Sequence, residues 1–103
     1  MLAKKYRLKI QTTLRAGGRV IRGRYCWIKF LPAGAEHPRV GVVIGLRVHK
    51  LASRRNVIKR FIYDALAGYV RSGAKFDLIL IVQPPARDAD KHAIIDELRD
   101  LIG

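Results

Sequence analysis

The sequence predicts an α+β domain in which helices pack on one small sheet. Three observations predict it. Two segments, roughly 53–70 and 90–102, repeat apolar residues at three- and four-residue steps, as helices do. Two others, Arg39 to Leu46 and Phe76 to Val82, are short and rich in Val, Ile and Leu, as strands are. Turn signals punctuate the chain at Gly17-Gly18, across Pro32 to Pro38, at Ser72-Gly73 and at Pro84-Pro85. With 103 residues, half of them hydrophobic, and no linker or internal repeat, the chain reads as a single domain over 1–103.

Each element has its own warrant. Residues 3–16 are basic with apolar positions at Leu8, Ile10 and Leu14, which predicts a short, weakly amphipathic helix stopped by Gly17-Gly18. A strand region spans about Val20 to Phe30 and is best marked by Tyr25-Cys26-Trp27-Ile28-Lys29-Phe30. Its chemistry alternates less cleanly than in a half-exposed strand, so both faces are expected to meet something. With Arg39 to Leu46 it reads as an antiparallel unit joined by a loop. The clearest helix runs from about Ser53, its expected N-cap, to Val70, with Ile58, Phe61, Ile62, Ala65, Leu66 and Tyr69 on its apolar face. Phe76 to Val82 is almost wholly apolar, which suits a central strand covered on both sides. Pro84-Pro85 end it, because prolines cannot continue the ladder. Asp88 or Asp90 can cap a last helix whose stripe is Ile94, Ile95, Leu98, Leu101 and Ile102. The order is therefore helix, two or three strands, helix, strand, helix.

The charge distribution narrows the function. The formal charge is +13, from 21 Lys and Arg against 8 Asp and Glu. Residues 1–60 hold sixteen basic side chains and one acid, Glu36, whereas residues 61–103 hold five and seven. A packed domain with such a field attracts polyanions. The lone Cys26 excludes an internal disulfide and a cysteine-rich zinc site, and its apolar neighbours suggest a small buried hydrophobe. The basic N-terminus offers no signal peptide, and Leu78 to Val82 is too short to span a bilayer. A cytoplasmic location and no membrane contact are expected.

The strongest local signal is Lys50-Leu-Ala-Ser-Arg-Arg-Asn-Val-Ile-Lys-Arg60. At 100° per residue, Asn56, Lys59, Arg60 and Tyr63 point away from the apolar stripe, and Arg55 lies at its flank. The first turns thus present cations, an amide and an aromatic ring on one side. Arg offers a planar fork for phosphate oxygens, Asn56 can donate to phosphate or ribose, and Tyr63 can stack on a base. Cations crowded at a helix N-terminus, as Arg54, Arg55, Lys59 and Arg60 are, oppose its dipole by some tenths of a kcal/mol each. A phosphate partner would offset that cost.

Arg39-Val-Gly-Val-Val-Ile-Gly-Leu-Arg47, then Lys50, then Arg55-Asn-Val-Ile-Lys-Arg60, resembles the bacterial ribonuclease P protein family. That family has a strand of the form RVG(F/L)SVSKK and a helix opening Arg-Asn-Arg-x-Lys-Arg. The likeness covers about Ile10 to Ile102, and FDLILIVQPPA falls where the family has a similar segment. The chain departs from the pattern in places. Val57 stands at the motif's second Arg, and one extra residue separates strand from helix motif. Val43 and Gly45 replace the strand serines, and Leu46 replaces the first strand lysine. Ile10 and Leu14 stand where the family often has aromatics. A second register, with Arg54 at the first motif position, is also open.

The resemblance implies a mixed sheet of about four strands with three helices, in the order α-β-β-β-α-β-α, and a left-handed βαβ crossover. It implies a single RNA-binding domain that serves as protein subunit of an RNA-based endoribonuclease removing the 5′ leader of precursor tRNA. Its partners would be the ribonuclease P RNA and precursor tRNA, with no obligate protein partner. Magnesium ions would be held mainly by the RNA, and the chain itself would carry no catalytic residue and no stably bound metal. Carried over residue by residue, Arg55, Asn56, Lys59 and Arg60 inherit RNA contact, followed by Arg47. Arg54, Lys50 and Tyr63 join them from the helix pattern. A candidate leader cleft would draw on Ile10, Leu14, Ile28, Phe30 and Val43, leaving Tyr25 and Trp27 toward the core. The acids Asp88, Asp90, Asp96, Glu97 and Asp100 read as a cap and a solvated helix face. A structural RNA binder of ribosomal or assembly type is the alternative. A DNA-reading helix is disfavoured, since Arg39 to Leu46 looks like a strand where a helix-turn-helix needs a helix.

Overall fold

The computed structural model describes residues 19–32, 38–72 and 76–102. The elements are β1 (Arg19–Arg22), β2 (Cys26–Pro32), β3 (Val40–Val43), α1 (Ala52–Ala65), α2 (Ala67–Val70), β4 (Phe76–Val82) and α3 (Lys91–Ile102). A 3-10 turn at Pro84–Arg87 follows β4. The expected N-terminal helix with Ile10 and Leu14 lies outside the described residues, as do 33–37 and Gly73.

The sheet order is β1-β2-β4-β3. β1 and β2 form an antiparallel hairpin, β2 pairs antiparallel with β4, and β3 runs parallel to β4. The strand region 20–30 is two strands, broken at Gly23–Tyr25, so three strands precede the long helix, as the order α-β-β-β-α-β-α has it. One expectation is corrected: the second strand does not pair with Val40–Val43, because β4 lies between them. The reason is burial. FDLILIV is the segment apolar enough for both faces, and Leu78, Ile79 and Leu80 are completely buried. A parallel β3–β4 neighbour relation then requires a crossover, which the α1–α2 segment supplies.

The register sorts the side chains between two faces. Cys26, Ile28, Val40, Val42, Leu78, Leu80 and Val82 face the helices and form the main core with Ile58, Ile62, Tyr63, Leu66, Ile94 and Leu98. Leu31 and Ile79, with Val43 and Ile81 beside them, form a smaller cluster on the other face. Cys26 is the buried hydrophobe expected; burial, with the Glu97 charge adding, pushes its thiol up to about 12.

The long helix departs from its expected frame. Its N-cap is Leu51, with extended backbone (φ −80°, ψ 121°) and no side-chain cap, rather than Ser53. It is interrupted at Leu66 (φ −92°, ψ 1°), whose N–H is shared between the carbonyls of Ile62 and Tyr63. Ala67-Gly68 restarts it as α2, and the Tyr69 hydroxyl donates to the Phe76 carbonyl at 2.7 Å, tying α2 to the start of β4. The buried stripe is Ile58, Ile62, Tyr63, Leu66 and Val70, while Ala65 is exposed.

Glu97 has a role that the acidic C-terminal segment did not reveal. Its carboxylate accepts the backbone N–H groups of Arg24, Tyr25 (2.9 Å) and Cys26 (3.2 Å), so α3 clamps the β1–β2 turn. Gly23 allows that approach: a Cβ there would lie 2.7 Å from the Cys26 carbonyl and 2.8 Å from the Glu97 carboxylate. Glu97→Ala strips a charged acceptor from three donors, two of them partly buried, and is expected to cost about 2–3 kcal/mol. Urea unfolding would show a lower midpoint at unchanged slope. An unmoved midpoint would mean that water replaces the carboxylate without penalty.

Candidate nucleic-acid interface

The β3–α1 connection is a short loop held at three points. Val48 is plugged into the core at 2% exposure, and its N–H donates to the Gly45 carbonyl at 3.1 Å. His49 Nδ1 accepts the Leu51 N–H at 3.1 Å. Arg55 Nη1 donates to the carbonyls of His49 (2.8 Å) and Lys50 (2.9 Å). Arg55 is therefore part of the scaffold at the helix start as well as a cation there.

Around this anchored loop the remaining polar residues are free to meet a partner. Arg47, Lys50, Arg54, Asn56 and Arg60 are exposed, and Lys59 is half-buried. No hydrogen bond or ion pair with another described residue engages the side chains of Arg54, Asn56, Lys59 and Arg60. Arg55 and Lys59 form one i,i+4 ridge, and Asn56 and Arg60 form the neighbouring one. Arg54 sits across the helix from Asn56, two residues and about 200° away. The α1 start carries no acid in its first turn. Its dipole and unpaired N–H groups thus add to the cationic field that an incoming phosphate meets.

Tyr63 does not belong to this surface. It shares a helix face with Asn56 and Lys59, but one turn further on that face reaches the sheet. Tyr63 is 3% exposed, and its hydroxyl accepts the Val42 N–H at 3.3 Å. β3 is an edge strand, and Tyr63 satisfies one of its outward donors. Base stacking by Tyr63 is excluded by burial. Tyr63→Phe is expected to lower stability by about 1 kcal/mol, the worth of one buried hydrogen bond, with RNA affinity unchanged. An affinity loss without a stability loss would return Tyr63 to the interface.

The leader-cleft group is split as well. Ile28 is fully buried against the helices, because it pairs with Ile21 and Leu80 on the core face. Phe30 is on that same face, edge-on to Phe76 with ring centroids 6.4 Å apart. Val43 lies on the opposite face with Ile81, so these three cannot form one wall. Trp27, expected inward, is on the Val43 face and partly exposed. Val43 and Arg47 share a hollow of about 250 Å³ with Gly45 and Gln83 at the C-terminal ends of β3 and β4.

Sequence reasoning missed the apolar fringe of the cation cluster. Leu46, Leu51 and Val57 are 69%, 57% and 54% exposed beside it. Val57 therefore occupies a solvent-facing position, where the family's arginine would also reach out. In the alternative register the motif lysine would fall on Ile58, which is core.

A mixed sheet backed by helices, with a cation-rich helix start at one edge, defines a small basic α+β protein of the RNA-binding class. A family model for ribonuclease P matches residues 2–103. The ribonuclease P protein component of Azoarcus sp. (strain BH72) is 29% identical over 85 residues, 82% of this chain and 71% of that protein. That of Cyanothece sp. is 37% identical over 70 residues, 65% of this chain and 52% of that protein. Two solved structures share the fold. The Staphylococcus aureus RNase P protein has a TM-score of 0.81 at 24% identity, covering 94% of this chain and 92% of that one. The Thermotoga maritima RNase P protein has a TM-score of 0.78 at 21% identity, covering 92% and 93%. The chain belongs to the ribonuclease P protein family, the protein component of that tRNA-processing ribonuclease.

Proposed function

We propose that this chain binds the ribonuclease P RNA through the start of α1 and the loop before it, and so assists RNA-catalysed removal of the 5′ leader from precursor tRNA. One observation carries the reading: Asn56, Lys59 and Arg60 share one side of α1, Arg54 is exposed across the helix start, and none of the four has a partner among the described residues, while Ile58 and Ile62 anchor the helix in the core. Arg47 and Lys50 extend it along the loop. Such a surface screens phosphate repulsion and fixes a backbone by charge-assisted hydrogen bonds. Arg55 contributes charge while holding the loop carbonyls.

In this reading the catalyst is the RNA, and the protein supplies no catalytic residue. In the same reading magnesium ions are held mainly by the RNA, and the protein's cations screen the neighbouring phosphates. Precursor tRNA is the substrate of the assembled particle. Its leader would pass by the Val43–Arg47 hollow rather than by Ile28 and Phe30. In this reading the assembly acts in the cytoplasm. Among the described residues no helix is long and apolar enough to cross a membrane.

Reconstitution tests the proposal. Added to a bacterial ribonuclease P RNA at low magnesium, the chain should stimulate precursor tRNA cleavage at least tenfold, about 1.4 kcal/mol of barrier or binding. High magnesium should shrink that stimulation, since the ions then do the screening. Tight RNA binding with no stimulation at any protein concentration would instead identify a structural RNA binder.

A further inference from the structure

The hairpin at the other end of the sheet carries a second set of arginines. Arg22 and Arg24 are exposed, and no described acid pairs with either guanidinium. Each lies over an aromatic ring. Arg22 Cζ is 4.7 Å from the centre of the Trp27 ring, its direct cross-strand partner, and Arg24 Cζ is 5.5 Å from that of Tyr25. The turn between them is clamped by Glu97 through its backbone, which leaves the guanidinium groups outside the clamp.

Held this way, a guanidinium loses little freedom when a further flat group stacks on it. A free carboxylate or phosphate needs only the charge. The planar stack adds a surface that suits a nucleobase, and the second arginine adds a neighbouring phosphate contact. The Glu97 charge nearby weakens plain anion attraction, which further favours a ligand that stacks. β1 and β3 are opposite edges of a four-stranded sheet, roughly 14 Å apart from three strand spacings.

We infer that the β1–β2 hairpin is a second RNA contact, at which an unpaired base stacks on Arg22 over Trp27 while Arg24 holds the adjoining phosphate. This rests on the RNA-binding reading above, yet it fails separately from it. The base can come from the leader of a precursor or from an unpaired stretch of the catalytic RNA.

Trp27 is the only tryptophan of the chain, so its fluorescence reports on this site alone. Full-length protein titrated with short oligouridine should show saturable quenching of Trp27, and an abasic strand of equal length should not. Arg22→Lys keeps the charge and loses the planar stack; it should weaken oligouridine binding about tenfold while leaving abasic-strand binding unchanged. Arg24→Gln should weaken both strands and flatten the salt dependence by about one phosphate contact. Repeating the titration with precursor tRNA, leaderless tRNA and the catalytic RNA assigns the source: quenching by precursor but not leaderless tRNA means the leader, and quenching by the catalytic RNA means the subunit partner. If Trp27 stays unquenched at saturation and Arg22→Lys binds like the parent, the hairpin contact is overturned. Loss of RNA binding in α1 variants would then still uphold the first site. Absence of binding by every variant and by the parent would overturn both.

Discussion

Replacing Arg54, Lys59 and Arg60 together by glutamine is expected to weaken binding to ribonuclease P RNA about 100-fold near 0.1 M salt, taking about 1 kcal/mol per lost phosphate contact. The salt slope should fall by about two, since each neutralised phosphate contributes roughly 0.7–0.9. The fold should survive. Arg54 and Arg60 are exposed and Lys59 is half-buried. Glutamine also matches lysine and arginine closely in helix propensity. The thermal midpoint should hold or rise slightly, because Arg54 leaves the first turn at the positive end of α1, worth some tenths of a kcal/mol, while Lys59 and Arg60 sit mid-helix. Loss of affinity without loss of stability is the useful readout, since general damage lowers both. A parallel loss of both, or an unchanged slope, would take these residues out of the interface. Arg55 is left out of the set because it bonds the carbonyls of His49 and Lys50, so its removal would mix loop disorder with lost charge.

How much of this was readable in the sequence follows from what each signal encodes. FDLILIV announced a central strand because burial on both faces leaves no polar position to misread, and it lies at Phe76–Val82. The stripe Ile94, Leu98 placed α3 correctly for the same reason. Pairing was not readable. Nothing in Tyr25 to Phe30 or Arg39 to Leu46 says that a strand from 40 residues later will separate them. The faces of β2 were inverted because Cys26, Trp27, Ile28 and Phe30 are all apolar enough for either side, so one residue of phase decides everything. Tyr63 was assigned by helical angle, which fixes direction and not distance along the axis. The same face is free at Asn56 and covered at Tyr63, because β3 begins to lie beneath it. Arg54, Asn56 and Arg60 are exposed along α1, while Ile58 and Ile62 between and beyond them enter the core. Glu97 and the exposed fringe of Leu46, Leu51 and Val57 were invisible for a related reason. Their meaning comes from a neighbour distant in sequence.

Asp77→Ala is expected to have the largest effect on stability. Asp77 is the single buried charged residue among those described, at 2% exposure, and it stands at the head of the central strand. Its Oδ1 accepts the Arg39 N–H at 2.8 Å and its Oδ2 accepts Arg39 Nη2 at 3.3 Å, while the Leu78 N–H donates to the Arg39 carbonyl at 3.0 Å. Together these set where β3 begins against β4, and hence the register that places Val43 and the loop carrying Arg47 and Lys50. Removing one partner of a buried pair costs about 3–5 kcal/mol, because the other is left desolvated. The Arg39 side chain is 35% exposed, so water can take over part of its solvation. Its Nε, already buried without a partner, cannot be helped that way. We therefore expect about 3 kcal/mol, a large share of the 5–15 kcal/mol typical of a small domain. Asp77→Asn keeps an acceptor for the Arg39 N–H and should lose about half as much. Urea midpoints of the two variants give the comparison, and RNA titration shows the consequence. RNA that binds the folded chain in preference to the unfolded one should recover part of the lost midpoint in both variants. If alanine and asparagine prove equal, the acceptor that asparagine retains contributes nothing, and the charge pairing with Arg39 carries the whole effect.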